Sequence, residues 1–408
     1  MLTLSRLSPE IRQYLVVTAN YWAFTLTDGA LRMLVVLHFH ALGYSPLQIA
    51  ALFLFYEVFG VVTNLVGGYL GARLGLNRTM NLGLALQVVA LLMLSVPAAG
   101  LTVAWVMAAQ ALSGIAKDLN KMSAKSSIKL LVPDSQQGTL YQWVAILTGS
   151  KNALKGVGFF LGGALLATLG FAGAVLAMAA VLALVWLASL VLLNKDLGRA
   201  RARPKFRDIL SKSRAINVLS AARLFLFGAR DVWFVVALPV YLSTVFGWSF
   251  WMVGGFLACW IIGYGIVQSL APAITGKRSG KVPDGRAAFL WAASLAALPA
   301  AIALGLAGGA PGPWVLIGGL LLFGALFAVN SSLHSYLIVS YAKEDGVSLD
   351  VGFYYMSNAL GRLLGTLLSG WVFQAYGLQA CLWVSSLFVL LAALISLRLP
   401  RHAGVPGA

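Results

Sequence analysis

Charged residues are scarce in this chain: 10% of its 408 residues are Asp, Glu, Lys or Arg, and only 12 are acidic. A soluble domain carries roughly a quarter charged residues and about half apolar ones. A chain that is 60% hydrophobic has too much apolar surface to hide from water, which excludes a soluble enzyme. Cysteine is nearly absent. Cys259 and Cys381 each stand alone inside an apolar run, so neither a disulfide framework nor a clustered thiol site is expected, and both read as buried packing residues. The four histidines are scattered, with no two at ligand spacing on one helix. No nucleophile with a partner base is visible, so no catalytic residue, metal site or cofactor is expected, and the chain reads as not an enzyme. The first stretch lacks a short apolar core with a small-residue cleavage site and continues as a full-length span, so no cleavage is expected.

What the chain has instead is apolar runs of about 20 residues, each long enough at about 1.5 Å per residue to cross a hydrocarbon core of about 30 Å. Interruptions by Gly, Pro and polar clusters predict spans near 14–40, 46–71, 79–97, 101–124, 139–168, 171–193, 215–245, 248–272, 287–308, 313–341, 348–375 and 377–398. The expected fold is an all-α membrane protein with twelve transmembrane helices in two six-helix, pseudo-symmetric bundles, residues 1–193 and 215–408, joined by a basic linker at 194–214.

The formal charge of +17 is placed by the loops. Every alternate connection is free of Lys and Arg, from Ala41–Ser45 through Tyr376–Leu378. The other set carries Arg6, Arg12, Arg73, Arg78, the long stretch from Asn194 to Arg214, the segment Lys277 to Arg286, Lys343, Arg398 and Arg401. The positive-inside rule puts this set, and both termini, in the cytoplasm of a bacterium whose inner membrane the chain spans. The linker reads as a solvated loop touching anionic membrane lipid, not as a nucleic-acid site. Leu42-Gly43-Tyr44-Ser45 matches Phe246-Gly247-Trp248-Ser249 at equivalent turns, and Asn152-Ala153-Leu154 recurs as Asn358-Ala359-Leu360. A near-constant offset supports duplication of a six-helix unit.

Ionisable residues far from any span end carry the functional signal, because a charge at the bilayer centre costs roughly 2.5–3.5 kcal/mol and so faces a polar interior or a partner. Eight are bases, Arg32, Lys117, Lys121, Lys151, Lys155, Arg223, Arg230 and Arg362; four are acids, Asp28, Glu57, Asp118 and Asp231. Bases outnumber acids even if every acid is neutralised, which points to a small anionic substrate. Lys117, Lys121, Lys125 and Lys129 lie four residues apart, and Lys151 and Lys155 repeat the interval, so each set shares a helical face. Lys125 and Lys129, nearer the cytoplasmic end, read either as part of this ladder or as snorkelling to the interface. Arg32, Arg230 and Arg362, from three helices, suit a tetrahedral oxyanion because a guanidinium donates two parallel hydrogen bonds. Asp28, Glu57, Asp118 and Asp231 read as counter-ions, with proton coupling as the alternative. Asp231 with Arg230, and Asp118 with Lys117, are not expected to pair, since adjacent helical residues point different ways. Asn152 and Asn358 join the expected substrate-binding set, with Asn20, Asn64, Gln110, Asn120, Asn330 and His334 as weaker polar lining and His38 and His40 weaker still.

Gly68-Tyr69-Leu70-Gly71-Ala72-Arg73-Leu74-Gly75 is similar to the gating-loop motif of the major facilitator superfamily, with Ala72 where that motif has Asp. Gly158-Phe159-Phe160-Leu161-Gly162-Gly163 resembles its antiporter motif, with Phe159 in place of Pro. Longer strings resemble the ArsJ family of organoarsenical efflux permeases: Thr27-Asp28-Gly29-Ala30-Leu31-Arg32, Gly114-Ile115-Ala116-Lys117-Asp118-Leu119-Asn120-Lys121, Gly149-Ser150-Lys151-Asn152-Ala153-Leu154-Lys155-Gly156 and Phe227-Gly228-Ala229-Arg230-Asp231. That resemblance implies alternating-access export of 1-arseno-3-phosphoglycerate, arsenate resistance, and a functional pairing with the glyceraldehyde-3-phosphate dehydrogenase that makes the compound. A monomer is expected. The alternatives are a permease or antiporter for other phosphorylated organic anions and, further off, a membrane enzyme.

Overall fold

The computed structural model describes residues 8–44, 48–49, 52–133, 135–193, 197–200, 210, 212–275, 282–309 and 312–401. Arg6, residues 276–281 of the basic segment before Arg286, and 194–196, 201–209 and 211 of the basic linker lie outside the described residues. The helices are α1 (Pro9–Ala41), α2 (Leu54–Leu74), α3 (Leu76–Leu94), α4 (Val103–Leu131), α5 (Gln137–Leu192), α6 (Arg214–Phe234), α7 (Ala237–Thr244), α8 (Phe250–Ile274), α9 (Gly285–Ala307), α10 (Gly312–Tyr341) and α11 (Val347–Ser396).

Local chemistry sets where several of them start. Ser8, Thr102, Ser213 and Ser249 each accept, through the side-chain oxygen, the N–H three residues on, and Asp284 accepts from Arg286 and Ala287. Such caps satisfy donors that a helix start leaves open and contribute about 1 kcal/mol each. Two glycines decide the topology: Gly170 (φ 66°) and Gly377 (φ 79°) lie in the left-handed region and fold α5 and α11 back as pairs of spans. Both fall at turns the sequence predicts.

Among the described residues, eight helical segments, with α6 and α7 taken together, are long and apolar enough to cross a membrane. Counting α5 and α11 as two each, and adding the more polar α1 and α4, gives the twelve expected spans. Three details differ from expectation. α4 continues to Leu131, well past the expected end at 124. The seventh span is broken between Phe234 and Ala237, where the Ser369 hydroxyl of α11 accepts from the N–H groups of Val236 (3.3 Å) and Ala237 (3.1 Å). Cys259 is exposed, in contrast to the buried Cys381, because one face of a spanning helix meets lipid and an apolar run there need not be buried.

The chain divides into two compact units. One comprises Met1–Gln136, Ser150–Ser211 and Ala342–Met356; the other Gln137–Gly149, Lys212–Tyr341 and Ser357–Ala408. Both interiors hold buried polar side chains, Arg223, Asp231, Gln268, Asn330 and His334 among them in the second. The first buries Asn64, Gln87, Gln110, Asp118, Asn120, Lys125 and Lys129. The second is built around aromatic rings: Trp233 meets Phe323 edge-on at 5.1 Å between centroids and Trp260 at 6.0 Å, and Trp260 stacks on Tyr264 at 5.7 Å, geometries that aromatic quadrupoles favour.

Candidate functional site

In the first unit, α1 and α5 approach so closely that only glycine fits. A Cβ at Gly29 would lie 2.6 Å from the Lys155 carbonyl oxygen, and one at Gly158 would lie 2.7 Å from that of Leu26. This contact sets Lys155 beside Asp28, with Nζ 3.5 Å from Oδ2, while Oδ1 accepts from the Tyr56 hydroxyl at 2.7 Å. The Tyr56 ring carries more: Lys117 Nζ lies 3.7 Å and the Arg32 guanidinium 5.0 Å from its centroid. Arg32 also pairs with Glu57 at 3.2 Å and lies over Phe53. Two acids, one phenol and three bases from α1, α2, α4 and α5 therefore form a single network.

The lysine ladder of α4 extends it. Asp118 takes Lys121 at 2.6 Å and Lys117 at 3.9 Å. One helical interval further, Lys125 donates to the Tyr355 hydroxyl, and Lys121 and Lys125 lie 4.7 and 4.8 Å from the centre of that ring. Lys125 and Lys129 are 3% and 4% exposed, so they belong to the interior of the unit and do not snorkel. Lys151 donates to Asn152 at 3.3 Å.

The second unit repeats the device with arginine. A Cβ at Gly365 would lie 2.7 Å from the Gly228 carbonyl oxygen, so α6 and α11 cross as closely as α1 and α5. At that crossing Arg362 Nε donates to Asp231 Oδ2 at 3.1 Å, and Arg230 approaches Oδ1 through Nε at 2.6 Å and Nη2 at 2.5 Å. The Arg230 guanidinium sits among Phe227, Phe234 and Phe327 at 5.0, 5.8 and 5.6 Å. Arg223, on the same helix, is buried; its Nε donates to Asn358 Oδ1 at 2.8 Å and its Nη1 to Ser331, whose hydroxyl also accepts from Gln268.

The expected residues are thus gathered within each unit: Asp28, Arg32, Glu57, Lys117, Asp118, Lys121 and Lys155 in the first, and Arg230, Asp231 and Arg362 in the second. One expectation is overturned. Arg230 does pair with adjacent Asp231, and Lys117 does approach Asp118, because a long side chain can reach around the roughly 100° of helix that separates adjacent Cβ atoms. Asn358 spends its carbonyl oxygen on Arg223. His334 is fully buried. The residues that sequence reasoning missed are Tyr56 and Tyr355. Their only signal is an aromatic ring bearing a hydroxyl within a span rich in ionisable neighbours, a poor discriminator in a chain with 13 tyrosines.

The sequence profile of the Major Facilitator Superfamily matches residues 14–349. The chain belongs to that superfamily. No curated protein sequence matches it significantly. Among solved structures, the human organic anion transporter MFSD10 (TETRAN) aligns with a TM-score of 0.77 at 19% identity, covering 96% of this chain and 100% of its own. The E. coli fucose:proton symporter FucP aligns at 0.75 and 12%, covering 95% and 98%. A bacterial homologue of the iron transporter ferroportin, in its outward-facing state, aligns at 0.73 and 15%, covering 96% and 99%. At such identities these likenesses concern the fold, and the superfamily makes the chain a multi-pass membrane transporter. In this member of the superfamily, the segment with Ala72 is held by residues 197–200: Ala200 N–H donates to the Ala72 carbonyl and Leu76 N–H to that of Leu197, both at 2.8 Å.

Proposed function

We propose that this transporter exports an organic polyanion, 1-arseno-3-phosphoglycerate, across a bacterial inner membrane by alternating access and thereby confers arsenate resistance. The observation that carries the reading is the excess of bases on shared acids: Asp118 with two lysines and Asp231 with two arginines, in helices where every charge is costly. Each half, 1–193 and 215–408, brings its own set, and both termini face the cytoplasm. A substrate bearing an arsenate and a phosphate group matches such sets, whereas trivalent arsenic would call for several thiolates. The neighbours by fold are named for organic anions, fucose and iron, so fold does not choose the substrate; the resemblance to organoarsenical permeases supplies the arsenical. With the cell interior negative, each negative charge leaving gains roughly 2.3 kcal/mol per 100 mV, so export runs downhill without proton coupling. Glyceraldehyde-3-phosphate dehydrogenase supplies the substrate in this reading.

The test is cellular arsenic accumulation under arsenate in a bacterium lacking arsenic efflux. Accumulation is expected to fall only when the transporter and the dehydrogenase are expressed together. If neither alone nor both lower it despite confirmed expression, the arsenical is wrong. A permease for other phosphorylated organic anions then takes its place, since ammonium and guanidinium groups recognise the oxyanion and not its central atom.

A further inference from the structure

The ion clusters of the two units share one layering. Asp231 has a side-chain exposure of 0% while Arg230 and Arg362 have 15% and 28%; Asp118 has 1%, against 12% and 13% for Lys117 and Lys121. In both clusters the bases keep some exposure and the acid they share has almost none. In the second unit both carboxylate oxygens are occupied, Oδ1 by Arg230 and Oδ2 by Arg362. α11 packs against the base of this side chain, since a Cβ at Gly365 would stand 3.0 Å from that of Asp231. The aromatic rings around Arg230 hold its guanidinium in place. A planar carboxylate spread over two guanidinium groups occupies the donors that an oxyanion would use.

We propose that Asp231 is a resident stand-in for the transported anion, holding Arg230 and Arg362 when the site is empty and yielding them to substrate, so that binding is an exchange of one anion for another. This rests on the anion-transport reading above and adds how that site selects. Two guanidinium groups so close together repel each other in a low-dielectric interior, and without the acid they would capture and retain any available oxyanion. With the acid in place, a newcomer has to outcompete a carboxylate already in position. A monocarboxylate brings no more charge than Asp231 and fails; a dianionic tetrahedral group brings more charge and more oxygens and succeeds. The substrate class is therefore phosphate or arsenate esters and acyl derivatives in preference to simple carboxylic acids. The same competition keeps affinity low enough for release.

The experiment measures binding of 3-phosphoglycerate, inorganic phosphate, arsenate and acetate to the purified full chain at fixed ionic strength, together with export from proteoliposomes. Wild type is expected to bind the tetrahedral anions and ignore acetate. Asp231→Asn is expected to bind 3-phosphoglycerate about tenfold more tightly or better, to accept acetate, and to turn over more slowly. Weaker binding by Asp231→Asn at an unchanged melting temperature would overturn the proposal and make Asp231 a scaffold for the arginines. Should that variant fail to fold, Asp231→Glu decides: a longer arm pressed onto the same arginines is expected to weaken 3-phosphoglycerate binding several-fold, and an unchanged or tighter Kd overturns the idea. If wild type binds none of the four anions, the anion reading itself falls, and this inference with it.

Discussion

Tyr56 donates its phenolic hydrogen to Asp28 while the Lys117 ammonium rests 3.7 Å from the centre of the same ring. One side chain thus joins an acid of α1 to a base of α4, using its polar tip for one and its π face for the other. The two contributions separate by substitution. Tyr56→Phe keeps the ring and removes the hydrogen bond, which to a charged, buried acceptor contributes about 1.5–3 kcal/mol. Tyr56→Leu also removes the cation–π contacts of Lys117 and Arg32, a further loss of about 0.5–2 kcal/mol. Stability and substrate affinity are expected to fall stepwise in that order; equal values for wild type and Tyr56→Phe would mean the hydroxyl is idle.

Asp28, which is buried, pairs with the partly buried Lys155 at 3.5 Å. Breaking a fully buried pair from one side costs about 3–5 kcal/mol, and less where one partner keeps some exposure, whereas removing both charges is close to neutral. Lys155→Gln is therefore expected to lower thermal stability markedly, and Asp28→Asn combined with it to restore stability. Transport should stay lost in the double variant if Lys155 serves the substrate, and return if the lysine only balances the acid. Thermal unfolding in detergent and a liposome export assay separate the two.

The α1–α5 crossing makes a steric prediction. Gly29→Ala places a methyl group 2.6 Å from a backbone oxygen, while Gly163→Ala, on the same helix as Gly158, meets nothing nearer than a Leu37 side chain at 3.7 Å. Overpacking costs typically about 1–3 kcal/mol, and more where backbone cannot move. Gly29→Ala should lose yield and melt several degrees lower, with Gly163→Ala close to wild type. Similar melting of the two would show that the helices can part.

Gly198 tests the anchoring of residues 197–200. It has φ 73°, and a Cβ there would lie 2.5 Å from the Leu76 side chain. Gly198→Val combines a left-handed β-branched residue with that clash, and is expected to release the two backbone hydrogen bonds to the α2–α3 turn. Trypsin should then cut the basic linker faster, with little change in melting of the helices; unchanged cleavage would show that the anchor holds without the glycine.

Much of the fold was legible because it depends on short-range rules. Apolar runs of membrane length, and the turns that interrupt them at Gly170 and Gly377, each act within a few residues. The break at Val235 and Val236 was not legible, because the group that satisfies its N–H donors is Ser369, far along the chain. For the site, the presence of bases and acids within the spans could be read directly. The carboxylate each base finds could not: Arg230 and Arg362 meet on Asp231 only because Gly228 and Gly365 bring α6 and α11 together, and the reach of a long side chain to its sequence neighbour depends on which rotamer the packing leaves open. Tyr355, which receives Lys125 from α4, had no feature to separate it from any aromatic core residue.

The Ser369 hydroxyl accepts two of the N–H groups at the head of α7. With those donors met by a side chain of α11, the seventh span changes direction after Phe234 without leaving backbone N–H groups unsatisfied in an apolar interior. Ala237, Leu238 and Leu242 of α7 are fully buried, so the bend belongs to the packed interior of the unit. α7 therefore need not continue the axis that the glycine crossing with α11 imposes on α6.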